Sequence, residues 1–133
     1  MAAMTPETTV ITARIVTAVV FIVMGALHFV PTAARSMAAI IPPRMRDRPL
    51  SARTLVILTG VAEIAGGVGL LLEPTRVAAG IALAIFLVAI FPANVYAARH
   101  PERFGRIAIP FWPRLIAQLA LIALVLWVGL SPA

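Results

Sequence analysis

Long apolar segments alternate with short polar ones along the whole chain. Four such segments, at residues 10–30, 51–72, 76–98 and 112–130, each approach the ~20 residues that a helix needs to cross a ~30 Å hydrocarbon core. A helix is favoured in lipid because it satisfies its own backbone hydrogen bonds. The pattern therefore predicts an all-α fold, an integral membrane four-helix bundle.

The polar interruptions predict how these spans are connected. Pro42, Pro43 and Pro49 stop any helix before the second span, and the turn at 73–75 is so short that spans two and three form an antiparallel hairpin. Residues 32–41 are too few to cross a membrane, which predicts a short interfacial helix between spans one and two. We expect one transmembrane domain over residues 1–133.

Composition supports the membrane class. The chain is 62% hydrophobic and 12% charged, whereas soluble domains are about 45–50% apolar and about 25% charged. It contains no cysteine, which excludes disulfides, thiol redox chemistry and iron–sulfur ligation within this chain.

Charge predicts the orientation. All eleven basic residues are arginines, and nine of them lie in or beside two loops. These nine are Arg35, Arg44, Arg46, Arg48 and Arg53 around the first loop, and Arg99, Arg103, Arg106 and Arg114 around the second. Only Arg14 and Arg76 lie on the opposite side. The positive-inside rule then predicts a multi-pass protein of the inner (cell) membrane, with loops 31–50 and 99–111 cytoplasmic and both termini extracytoplasmic. No aromatic interleaving or recognition helix accompanies the arginines, so we expect no nucleic-acid partner.

Glu63 is the polar residue that lipid disfavours most. At ~1.5 Å per residue it lies ~18 Å from Ser51 along its helix, close to the bilayer midplane. An ionised carboxylate at that depth costs at least ~2.5–3.5 kcal/mol. We therefore predict that Glu63 faces the bundle interior and is neutral and hydrogen-bonded, with His28 and Asn94 as its leading partners.

One polar side chain per span lies in the predicted cytoplasmic half of the bundle. These side chains are His28, Glu63, Asn94 and Gln118, which we take as candidates for binding a ligand or holding a proton. The alternative is that they only join helices through hydrogen bonds. Small or kinked positions are predicted to pack the helices: Gly25, Gly60, Gly66, Gly67 and Pro92.

The chain shows no autonomous catalytic motif. Its serines lie in loops or at span ends without a histidine–acid pair, which argues against nucleophilic catalysis. His28 and His100 do not fall at one depth, so neither a haem nor another metal site is predicted. Whether the protein is an enzyme is left open by the sequence.

Four segments, "GALHFVP", "IIPPRM", "LTGVAEIAGGVGLLLEPTRVAAG" and "FPANVYAA", together resemble the DoxX-like family of small four-span membrane proteins over residues 20–100. The matching positions are Gly25, His28, Phe29, Pro42, Gly60, Glu63, Gly66, Pro92 and Asn94. The resemblance implies an accessory subunit of a membrane oxidoreductase, or an assembly factor for one. The cysteine pairs of some related redox proteins are missing here, so thiol chemistry is not carried over.

Three functions follow as expectations. The first is an accessory oxidoreductase subunit that binds a quinone or another lipid-soluble ligand in the polar cluster, with no cofactor held by the chain itself beyond such a quinone. The second is a membrane assembly or anchoring factor whose polar cluster is purely structural. A small transporter ranks last, since no inverted repeat is visible. The expected partners are the lipid bilayer and either a larger membrane oxidoreductase or a second copy of the chain.

Overall fold

The computed structural model describes residues 3–46 and 48–133, and no strand occurs among them. These described residues form six α-helices: α1 (Pro6–Leu27), α2 (Pro31–Ala39), α3 (Ala52–Leu71), α4 (Arg76–Arg99), α5 (Pro101–Phe104) and α6 (Phe111–Leu130). Short 3₁₀ turns at Pro43–Met45 and Gly105–Ile107 interrupt the two longer connections.

Helices α1, α3, α4 and α6 are each long and apolar enough to cross a membrane. Three of them match the predicted spans to within one residue at each end. The predicted bounds of the first span were wrong, since α1 begins at Pro6 and ends at Leu27. Thr5 caps its start by accepting a hydrogen bond from the Thr8 amide, and Pro31 bars the α conformation from Val30. His28 is therefore the C-cap of α1.

The bundle is built from successive helix pairs. Helix α1 packs against α3, α3 against α4, and α4 against α6, while the short α2 packs on α3. Leu70, Leu83, Val125 and Val128 are fully buried between them. Large apolar side chains also cover the outer surface, as at Ile85, which is 65% exposed. Such an exterior suits lipid and not water. The predicted all-α four-helix bundle is confirmed, including the short helix between the first two spans.

Glycines bring α1 and α3 into backbone contact. A Cβ atom on Gly25 would lie 2.7 Å from the Gly60 carbonyl oxygen, and one on Gly60 would lie 2.6 Å from His28 Cβ. A Cβ on Gly67 would lie 2.8 Å from the Ala18 carbonyl oxygen. Small residues thus allow the close approach that places His28 directly against α3.

The other predicted packing positions lie between different helices. Gly66 faces the side chain of Leu83 on α4. Pro92 lies inside α4, which continues to Arg99. A close contact absent from our predictions joins α4 to α6, where a Cβ on Gly80 would lie 2.9 Å from Gly129 Cα.

Candidate functional site

Glu63 and His28 meet inside the bundle. Glu63 lies in α3 and is 8% exposed, and His28 caps α1 and is 9% exposed. The distance between His28 Nδ1 and Glu63 Oε2 is 3.2 Å. The two side chains are brought together by the glycine contact between Gly25 and Gly60, because larger residues there would separate their helices.

The imidazole does not satisfy the carboxyl group. His28 Nδ1 is also 2.9 Å from the Met24 carbonyl oxygen. A carbonyl oxygen can only accept, so this contact places the proton on Nδ1 and directs it towards Met24. Glu63 Oε2 is buried and has no hydrogen-bond partner among the residues that the structure describes. The predicted hydrogen bond between Glu63 and its neighbours is therefore missing at this oxygen.

An inner cavity of about 350 Å³ lies between α2, α3 and α4, beside Glu63. Its polar lining consists of His28, Thr59, Glu63 and Asn94. The rest of the wall is apolar, with Ile41, Phe86 and Ile90 among its residues. A mostly apolar cavity with a few polar groups is the usual form of a small-molecule site.

Asn94 lines the inner cavity, and its side chain is bound by Arg114. From the sequence, we used Arg114 only to predict the orientation in the membrane. Arg114 Nη1 donates a hydrogen bond of 2.7 Å to Asn94 Oδ1. The same guanidinium donates to the carbonyl oxygens of Ile107 and Ile109. Asn94 Oδ1 is thus committed to Arg114, while its amide nitrogen forms no hydrogen bond to another described residue. The sequence could have indicated this role of Arg114, because the residue lies in the first turn of a span, within reach of the neighbouring helix.

Gln118 does not line the inner cavity. It is buried between α4 and α6, where its Nε2 donates to the Leu87 carbonyl oxygen. Pro92, which has no N–H, leaves the neighbouring Val88 carbonyl without its helical donor, so this part of α4 has fewer internal hydrogen bonds. The structure therefore brings His28, Glu63 and Asn94 together and uses Gln118 to join α4 to α6.

A second buried polar group, absent from our predictions, lies at the opposite end of the bundle. Arg14 donates to the carbonyl oxygens of Val128, Ser131 and Ala133 at 2.7–2.8 Å. Arg76 donates to those of Gly129 and Ser131. We call this group the arginine clamp, since both guanidiniums hold the C-terminal end of α6. The clue in the sequence was an arginine at residue 14, within an otherwise apolar stretch.

The described residues contain no group of three histidine, aspartate or glutamate side chains that could hold a metal ion. His28 and Glu63 supply two potential ligands, whereas zinc sites use three or four protein ligands. The side chains of the cluster can donate and accept hydrogen bonds, and a carboxyl group can hold a proton.

The sequence of the chain matches the model of one protein family. No curated protein and no solved structure matches the chain. The family described as a domain of unknown function (DUF8561) matches residues 17–129. The match includes His28, Glu63, Asn94 and Gln118, and it covers most of the chain. The protein therefore belongs to the DUF8561 family.

Proposed function

We propose that this small multi-pass membrane protein binds a lipid-soluble molecule with a hydrogen-bonding head group in the inner cavity. The observation that carries the proposal is Glu63 Oε2, a buried acceptor that has no hydrogen-bond partner within residues 3–46 and 48–133 and lies beside a cavity of about 350 Å³. Leaving such a group unsatisfied costs about 1–3 kcal/mol. A ligand hydroxyl group that donates to Oε2 would recover this cost.

A quinone or quinol fits these residues. The apolar wall with Phe86 and Ile90 suits a ring and an isoprenoid tail. A quinol hydroxyl can donate to ionised Glu63, and protonated Glu63 can donate to a quinone carbonyl. The Asn94 amide nitrogen supplies a further donor. When bound, a quinone would supply two-electron, two-proton chemistry, for which the chain itself offers only proton-holding groups.

In this proposal the chain is an accessory subunit beside a membrane oxidoreductase, as its resemblance to the DoxX-like family implies. Glu63 holds or accepts the proton of the head group, and His28 lies beside it, with Nδ1 3.2 Å from Glu63 Oε2. Asn94, held by Arg114, orients the head group. The electron donor or acceptor then belongs to a partner protein.

The test uses the purified protein in detergent with decylubiquinone and its quinol as probes, and binding is measured by equilibrium dialysis. We expect Glu63→Gln to weaken binding about tenfold or more, since a hydrogen bond to a charged group contributes about 1.5–3 kcal/mol. Glu102→Gln makes the same chemical change at an exposed position and should leave affinity unchanged. Absence of binding, or equal affinity of the Glu63→Gln variant and the unaltered protein, would overturn the proposal.

A second candidate is an assembly or anchoring factor, and two contacts favour it. Arg114–Asn94 and Gln118–Leu87 are interhelical hydrogen bonds that stabilise packing without any ligand. If this candidate is correct, Glu63→Gln keeps the protein's association with its partner, and substitutions on the lipid-facing or loop surface abolish it. The experiment purifies both kinds of variant from native membranes and measures how much partner protein co-purifies with each. Loss of the partner from the surface variants alone favours the assembly or anchoring factor.

We also propose that the two arginine-rich connections are cytoplasmic and that both termini are extracytoplasmic. The support is the arginine count, which the positive-inside rule relates to orientation. Four spans, an even number, also put both termini on the same side of the membrane.

A further inference from the structure

A second cavity adjoins the inner cavity and shares His28 and Val56 with it as wall residues. This basic cavity has a volume of about 360 Å³ and is bounded by the end of α1, by α2 and by the start of α3. Two arginines line it, Arg35 from α2 and Arg53 from the first turn of α3. Its remaining wall includes the apolar side chains of Phe29, Val56 and Ile57.

Both arginines are exposed at the cavity. Neither Arg35 nor Arg53 forms a hydrogen bond or ion pair with another residue in the described ranges 3–46 and 48–133. Arg46, close by in the chain, differs, because it donates to the carbonyl oxygens of Ala39 and Ile41. Arg46 therefore stabilises the fold, whereas Arg35 and Arg53 contribute only positive charge to the cavity.

The position of Arg53 adds a second reason to expect an anion. A cation in the first turn of a helix lies against the positive end of the helix dipole, which is unfavourable. An anion between Arg53 and Arg35 would be attracted by both guanidiniums and by that dipole. Guanidinium groups bind phosphate through paired, charge-assisted hydrogen bonds.

We propose that the basic cavity binds the phosphate of an anionic phospholipid. Phosphate alone would need only the arginines, but the cavity also presents Phe29, 51% exposed, and Ile57, 39% exposed. These side chains can contact the glycerol and upper acyl chain. The cavity also lies at the ends of two spans, the level at which lipid head groups occur. The two arginines of this site do not line the inner cavity, so the proposal does not depend on a quinone there.

The experiment measures lipids retained by the full chain in native mass spectrometry from detergent, with phosphatidylglycerol and phosphatidylcholine as probes. We expect the unaltered protein to retain phosphatidylglycerol preferentially. The double variant Arg35→Gln, Arg53→Gln should lose this retention about tenfold or more, because several hydrogen bonds to a charged group disappear. The matched control Arg99→Gln, Arg106→Gln removes the same charge from exposed arginines of the other connection.

General attraction between arginines and anionic lipid would weaken both double variants equally, and that result would overturn the proposal. Displacement of phosphatidylglycerol by an equal concentration of inorganic phosphate would also overturn it, since free phosphate would then be the better ligand. Circular dichroism melting verifies that the variants fold. If the glutamine variant does not fold, Arg35→Lys, Arg53→Lys replaces it, and reduced retention with preserved charge supports the site.

Discussion

Arg14 and Arg76 satisfy carbonyl groups that a helix cannot satisfy for itself. The last turn of any α-helix has carbonyl oxygens without intrahelical donors. At the end of α6 these include Val128 and Gly129, which accept from Arg14 and Arg76 respectively. The clamp therefore pairs two buried cations with buried carbonyl acceptors, and these hydrogen bonds offset part of the cost of removing both groups from water.

Removing one arginine of the clamp should destabilise the bundle. We expect Arg14→Met, which keeps an unbranched apolar stem but removes the guanidinium, to lower the free energy of unfolding by about 2 kcal/mol, because it leaves buried carbonyl groups unpaired. Denaturation in mixed micelles, followed by circular dichroism, measures this change. Arg99→Met, at an exposed position, is the control. Equal stability of both variants would show that water or detergent satisfies the end of α6.

Glu73 adds a pH-dependent contact to Arg76. Its carboxylate accepts from Arg76 Nε and Nη2 at 3.3 and 3.1 Å. These hydrogen bonds and the charge of Arg76 hold the pKa of Glu73 below its ordinary value of 4.5. A lowered pKa in the folded state means that the stabilisation is present above the unfolded pKa and is lost as pH falls through the folded one.

We therefore expect Glu73→Gln to be less stable than the unaltered protein at pH 7, with the difference shrinking as pH falls below the ordinary pKa of 4.5. The difference should be small, since the carboxylate is exposed to solvent. Thermal melting of both proteins across this pH range measures it, and Glu102→Gln is the control. A difference that does not change with pH would show that Glu73 acts without its charge.

The sequence allowed the polar residues of the cluster to be found and predicted His28 beside Glu63. It did not reveal that Asn94 is bound by Arg114 or that Gln118 donates to a carbonyl oxygen of α4. Glu63 was recognisable because an intramembrane carboxylate is unusual in any apolar helix. The Asn94–Arg114 contact joins residues 20 positions apart across two helices, and it depends on side-chain directions that hydropathy does not encode. For the same reason Gln118 shared the depth of the cluster without sharing its cavity.

At the scale of the helices, the α1–α3 contact determines the geometry of the site. Gly60→Leu should separate these helices, because even its Cβ atom would lie within 3 Å of His28 and of the Gly25 carbonyl oxygen. We expect a loss of at least about 2 kcal/mol in unfolding free energy, within the range for overpacked cores. Denaturation in mixed micelles provides the measurement.

Ala62→Leu is the matched control for this prediction. It adds the same kind of side chain two residues away on α3, at an exposed position that borders an open groove against α4. Its stability should be close to that of the unaltered protein. A Gly60→Leu variant as stable as the Ala62→Leu variant would contradict the close packing of α1 and α3.

Helix ends show where hydropathy is insufficient. The predicted first span ran to residue 30 because His28, Phe29 and Val30 continue an apolar stretch interrupted by one polar residue. The helix ends earlier because Pro31 starts the next helix and restricts the residue before it. At the other end, Thr5 and Pro6 form a start signal that lies outside the apolar stretch.

At the scale of the whole molecule, orientation is open to a direct measurement. The chain has no cysteine, so single cysteines can be introduced without background labelling. We expect Glu7→Cys to react with a membrane-impermeant maleimide added to intact cells, and Arg44→Cys to react only after permeabilisation. The opposite pattern would reverse the proposed topology.

The arginine clamp also has a consequence for biogenesis. Ribosomes synthesise α1 and α4 before α6, so Arg14 and Arg76 enter the membrane before the carbonyl groups that they bind in the finished bundle. Glu73, three residues before Arg76, already pairs with that cation, whereas Arg14 has its hydrogen-bond acceptors at the end of α6. Until α6 inserts, the guanidinium of Arg14 must therefore be accommodated by water, lipid phosphates or the translocation machinery. An unfinished chain thus differs from a completed one by a cation in an apolar segment whose acceptors have not yet been made.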